Sequence, residues 1–194
     1  QYATLMRKLG YNKKIISFEP VADAFKQLNS NALKDDLWIA NNYAIGDEDG
    51  KTAINIAGNS ASSSMLKMLP SHINAAPDSD YISNEEIEIK KLDSIFDVFC
   101  TPDSKIMMKV DTQGFERNVL DGAVESLKKI SVIQLEMSLI HLYENEIIFI
   151  DMLKYVNNQG FYLFSLENGF THPTTNQLLQ VDGLFVKEEL INFS

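Results

Sequence analysis

The chain has 194 residues, 45 % of them hydrophobic, enough for one domain with a full core. Its formal net charge of −10 favours solubility, repels phosphate backbones and so argues against nucleic acid as a main partner, while leaving room for a neutral or cationic substrate. No apolar run approaches the ~18 residues of a membrane span, no signal peptide is visible, and Cys100 is the sole cysteine, so no internal disulfide and a reducing, cytoplasmic setting are expected.

Residues 1–9 carry Leu5, Met6 and Leu9 with Gly10 beyond, the spacing of an amphipathic helix closed by glycine. Residues 15–18 (Ile-Ile-Ser-Phe) read as a buried strand running into Glu19-Pro20, with Pro20 opening a helix at its first position. Val21, Phe25 and Leu28 continue that helix to Asn31. Residues 37–45 read as one strand, 46–50 as a turn and 52–56 as an antiparallel strand. Residues 58–64 are a small polar loop. Residues 65–83, with two prolines and no sustained period, read as an excursion over the surface, a candidate lid or contact between copies in a homo-oligomer. An edge strand is expected at 86–89 and a short helix at 92–96. Residues 106–110 form an apolar strand broken only by Lys109, followed by a helix over 114–129 and a buried strand over 130–135. Ile147, Ile148, Met152, Leu153 and Val156 make a helix stripe ending near Gly160, and residues 161–165 and 180–186 are the last two strands.

Strands alternating with helices predict an α/β fold, a mostly parallel sheet with helices on both faces. The last two strands, joined without a helix, predict one antiparallel strand near the edge. Class I methyltransferases have this pattern, and nicotinamide-binding domains are its main competitor. A doubly wound domain opens with a strand and a glycine-rich turn, whereas the first element here is a helix. That strand and its glycine loop are expected ahead of Gln1, in the sheet between the strands at 15–18 and 106–110, the alternative being that something else fills this gap.

Ligands of open α/β sheets bind outside the carboxyl ends of the strands. Glu19 stands at such an end, where a carboxylate accepts hydrogen bonds from ribose hydroxyls. This placement does not separate S-adenosylmethionine from NAD. Asn42, Tyr43, Ala44 and Ile45 follow the next strand, at a tip that would face an adenine. Asp111 ends the strand at 106–110, and Gly114 lets the chain turn tightly after it. Glu116 lies in the first helical turn, where the macrodipole alone favours a carboxylate. Glu136 ends the next strand, with His141 on the loop beyond. Asp111, Glu136 and His141 on one rim would hold and deprotonate an acceptor hydroxyl. No tight metal-ligand spacing occurs, so no metal site is assigned.

The runs Ile16-Ser17-Phe18-Glu19-Pro20, Ala44-Ile45-Gly46-Asp47 with Gly50, Lys91-Leu92-Asp93, Lys109-Val110-Asp111-Thr112-Gln113-Gly114-Phe115-Glu116 and Gln134-Leu135-Glu136 occur in this order. Together they resemble the FkbM-type methyltransferase family. The likeness extends from about Gln1, where Gln1-Tyr2 is similar to the residues just past the family's glycine loop, to the strand at 181–186. It implies a Rossmann-like class I methyltransferase fold in a single domain, and transfer of a methyl group from S-adenosylmethionine to a hydroxyl of a sugar, glycolipid or polyketide-like molecule. On that basis Glu19 and Pro20 would sit at the donor ribose, Asn42, Tyr43, Ala44 and Ile45 at the adenine, and Asp111 near the methionine end. Ser63, Ser64 and Gln113 would contact the acceptor. An NAD-dependent oxidoreductase and a non-catalytic nucleotide-binding module remain as alternatives.

Overall fold

A computed structural model describes residues 2–59 and 61–191, which leaves Gln1 outside the described residues. Helix α1 (Tyr2–Lys8) ends before Gly10, whose φ of +90° reverses the chain as the glycine signal predicts. Strand β1 (Ile15–Phe18) pairs in parallel with β2 (Trp38–Asn41), and α2 (Ala22–Ala32) connects them. Pro20 does not open that helix. Val21 stays extended as its N-cap, because the Val21 and Ala22 N–H groups are taken by the Glu19 and Glu85 carboxylates.

The expected strand at 37–45 is two strands. After Asn41 the chain leaves β1, and β3 (Ala44–Ile45) pairs with a different partner, β5 (Tyr81–Lys90). Strand β4 (Gly50–Ala57) runs antiparallel to β5 on its other side. The predicted edge strand at 86–89 is thus part of a ten-residue strand between two neighbours. Residues 65–83 are not a surface excursion. They contain α3 (Pro70–Ala75) and a 3-10 turn, Pro77–Ser79, and Met68 and Ala75 pack with Leu142, Tyr143 and Leu179 in a second core. Their apolar residues meet several partners in turn, so the segment has no period to detect.

Next come α4 (Leu92–Phe99) and β6 (Met107–Val110). The helix expected over 114–129 is broken into α5 (Glu116–Asp121) and α6 (Val124–Leu127). At the break, Gly122 lies so close to Gly46 that a Cβ would meet the Gly46 carbonyl oxygen at 1.8 Å. Strand β7 (Val132–Ser138), α7 (Phe149–Asn158), β8 (Phe161–Asn168) and β9 (Gln180–Lys187) complete the chain.

Strands β6, β7, β9 and β8 form one sheet in that order. Strand β9 runs antiparallel to both neighbours and is the single reversed strand the sequence predicts there. The fold is α/β, but its sheets are mixed rather than mostly parallel, and among the described residues no ladder joins β1 to β6. Helix α1 links the two parts instead: Ala3 packs with Ala32 and Trp38, while the Tyr2 hydroxyl donates to Gln134 Oε1 at 2.9 Å. Ile133, Leu135 and Met137 of β7 point into the main core, each worth ~2 kcal/mol on burial, and alternation puts Gln134 and Glu136 on the opposite face. Among the described residues no helix is long and apolar enough to cross a membrane.

Candidate functional site

The face of the sheet that carries Gln134 and Glu136 is polar along three strands. Lys109 pairs with Gln134 across β6 and β7, and Glu136 lies opposite Asp182 across β7 and β9. Opposed carboxylates repel. Lys109 offsets this, with its Nζ 2.8 Å from Asp111 Oδ2 and 3.8 Å from Asp182 Oδ1. Burial works to lower the Lys109 pKa, but Asp111, with Asp182 and Glu136 behind it, outweighs that and holds the ammonium above its usual range. Tyr2 covers the group from α1, its ring centroid 5.5 Å from Lys109 Nζ.

Asp111 follows β6 and is 43 % exposed, whereas Glu136 is largely enclosed. Glu136 lies within β7, which continues to Ser138, rather than at its end as the sequence suggests. One amide joins the two acids: Gln113 Nε2 donates to Asp111 Oδ1 at 3.1 Å and to Glu136 Oε2 at 2.8 Å. Gln180 Nε2 gives Glu136 Oε2 a second donor at 2.9 Å. Burial raises the Glu136 pKa most, and the charges of Asp111, Glu116 and Asp182 add to it against the opposing Lys109.

The turn from β6 into α5 is shaped by Glu116. Its buried Oε1 accepts from the Thr112 N–H at 2.7 Å, the Thr112 hydroxyl at 3.1 Å and the Gly114 N–H at 3.3 Å. Burial nonetheless pushes the Glu116 carboxyl up to about 7, its own turn's donors opposing and the Asp111 charge assisting. The structure therefore divides the two acids of this segment: Asp111 faces outward and Glu116 holds the turn. Ser64, also buried, donates from Oγ to the Gln113 carbonyl at 2.7 Å, which seats the 62–64 loop on that turn. Ser63 Oγ accepts from the Ala57 N–H at 3.1 Å. His141 is exposed and shares no hydrogen bond with Asp111 or Glu136, while its carbonyl accepts from Ser71 Oγ.

At the β1 end, Glu19 Oε1 accepts from the Val21 N–H at 3.0 Å, and among the described residues its Oε2 has no donor. Burial raises its pKa, the Val21 N–H opposes this and Glu85 adds to it. Asn42 Nδ2 donates to the Glu19 and Pro20 carbonyls at 2.9 and 3.0 Å. The Tyr43 ring lies 5.4 Å from Phe18 and 4.6 Å from Lys90 Nζ. Ala44 is buried in the main core, with Ile45 packed against it, so Asn42 and Tyr43 alone of the expected adenine-lining residues stand at the strand tip. A cleft of about 170 Å³ lined by Met107, Gln134, Ser165, Glu167, Asp182 and Leu184 opens on the polar face. It is smaller than the ~300 Å³ at the low end of small-molecule sites.

Sequence reasoning missed Tyr143, Gln180 and Asp182. Gln180 and Asp182 alternate along β9 just as Gln134 and Glu136 do along β7, and that shared polar period is the signal that was available. Tyr143 has no such signal. Its position depends on the 139–146 loop, where Glu146 Oε1 accepts from the Leu142 and Tyr143 N–H groups.

No curated protein and no solved structure matches the chain. A family model described as "Methyltransferase FkbM domain" matches residues 1–163, most of the chain and the whole of the Asp111–Gln113–Glu136 cluster. The chain belongs to the FkbM methyltransferase family.

Proposed function

We propose that the protein transfers a methyl group from S-adenosylmethionine to a hydroxyl of a sugar, glycolipid or polyketide-like small molecule, with Asp111 as the base. One observation carries the assignment of the base: among the linked acids, Asp111 alone is substantially exposed at a strand's carboxyl end, with Glu116 and Glu136 enclosed behind it. Among the described residues each Asp111 oxygen takes one donor, from Lys109 or Gln113, and retains a lone pair for an acceptor hydroxyl.

The residues present fit the donor. Glu19 has an oxygen without a partner among the described residues at the end of β1, suited to ribose hydroxyls, and Asn42 and Tyr43 flank it. When bound, the donor supplies a sulfonium-activated methyl group. The chain's own work is to align the acceptor oxygen in line with it and to remove the hydroxyl proton. With the donor bound, its methyl would pass from sulfur to the acceptor oxygen, leaving the thioether and a methyl ether, while Asp111 would take the hydroxyl proton. Glu136 lies one amide behind Asp111, and the exposed His141 shares no hydrogen bond with either acid. A neutral or carbohydrate acceptor suits a chain of net charge −10.

Labelled-methyl transfer from S-adenosylmethionine to a panel of hydroxyl acceptors tests the assignment. Asp111→Asn should lower kcat by ~10²–10⁴ and leave donor affinity close to wild type. Full transfer by that variant with normal donor affinity would remove Asp111 as the base.

A further inference from the structure

Gln113 is the point at which the site is most heavily determined. It adopts φ +55°, a left-handed conformation unusual for a residue with a side chain. Such strain persists where surrounding groups over-determine it, and here three segments do so. Ser64 Oγ holds the Gln113 carbonyl from the 62–64 loop at 2.7 Å. The Tyr143 hydroxyl donates to Gln113 Oε1 at 2.9 Å from the 139–146 loop. Asp111 and Glu136 take the two amide hydrogens, at 3.1 and 2.8 Å.

The amide has two orientations, and only one works. Turned over, it would point Oε1 at two carboxylates and its hydrogens at a phenol. With both hydrogens committed, Gln113 has no amide donor left for an acceptor molecule, which would meet it only at Oε1.

We propose that Gln113 is a positioning residue whose amide clamps Asp111 and Glu136 at a fixed separation, and that Tyr143 acts through it by fixing the amide's orientation. The proposal deepens the reading of Asp111 as base and rests on that reading for its catalytic meaning. The other charged groups facing the pair are Lys109 on β6, Asp182 on β9 and Glu116 at the start of α5. None of them bridges the two acids.

The test is the ¹³C NMR chemical shift of the Asp111 and Glu136 side-chain carboxyl carbons at one fixed pH, in the ligand-free protein. Loss of an amide donor displaces the signal of the carboxyl that accepted it. Gln113→Met should displace both signals. Tyr143→Phe touches neither carboxylate, yet should displace both together, by less. The two changes combined should add nothing to Gln113→Met alone. Gln180→Leu, the control, should move Glu136 and leave Asp111 in place.

If Tyr143→Phe folds and leaves both signals at their wild-type positions, or moves only one of them, the proposal is overturned. Should that variant fail to fold, Gln113→Met decides alone, and movement of only one acid overturns the clamp. Methyl transfer does not enter this readout. A failed methyltransferase reading and a failed clamp are therefore told apart.

Discussion

Replacing Glu116 by Gln tests the account of the turn that carries Asp111. Glu116 is 5 % exposed, and one of its oxygens accepts three donors from residues 112 and 114. Burial raises its pKa from 4.5 to about 7. A carboxyl raised in this way holds its proton more tightly in the fold than in the unfolded chain. Its contribution to stability is complete below about pH 4.5 and is lost as pH rises through 7. A carboxyl titrating near 7 in the fold and near 4.5 unfolded is worth about 3 kcal/mol across that window. Gln keeps the accepting oxygen but introduces two buried amide hydrogens, at a cost of ~1–3 kcal/mol that does not vary with pH. Urea unfolding of wild type and Glu116→Gln at half-unit steps from pH 4.5 to 8.5 measures the difference. The variant should be the less stable protein at pH 4.5 and should gain on wild type by about 3 kcal/mol by pH 8. Two stability curves running parallel across this range would refute a buried, proton-holding Glu116.

Gly114 has φ +93°, and a Cβ there would stand 2.9 Å from Tyr143 Cδ2. Gly114→Ala should cost about 2–4 kcal/mol in urea unfolding, from left-handed strain and overpacking together, and a loss under 1 kcal/mol would show that the turn can shift. Asp93 accepts from the Ser126 N–H and hydroxyl at 2.7 and 2.6 Å and from the Glu125 N–H at 3.0 Å, which makes it a cap for α6. Asp93→Ala should lower stability by ~1–2 kcal/mol and leave donor affinity unchanged, and a weakened donor would place Asp93 in the site instead.

The family motifs mix two kinds of carboxylate that look alike in sequence. Asp111 and Glu19 sit at strand ends, and the strand–acid–helix order found them. Asp93 and Glu116 belong to the same motifs but are spent on backbone N–H groups, a use that depends on how a turn closes in space. For Glu116 the macrodipole argument predicted a helix-steadying role, and the structure assigns the carboxylate to the preceding turn as well.

The strand at 106–110, the helix stripe at 147–156 and the closing pair β8 and β9 were legible because apolar residues dominate each segment. The division of 37–45 was not, since Asn41 and Ala44 belong to different ladders and nothing in the apolar pattern marks the transfer. Gln180 reaches Glu136 through the β7–β9 register, and Tyr143 reaches Gln113 through a loop anchored by Glu146. Such contacts become readable once the pairing is known.

Calorimetric titration of S-adenosylhomocysteine, alongside NAD, into the whole protein separates a methyl-donor site from a nicotinamide site. Saturable binding of S-adenosylhomocysteine, weakened by Glu19→Gln, is expected, with no comparable heat from NAD. Absence of S-adenosylhomocysteine binding, or binding of NAD in its place, would contradict a methyl-donor site.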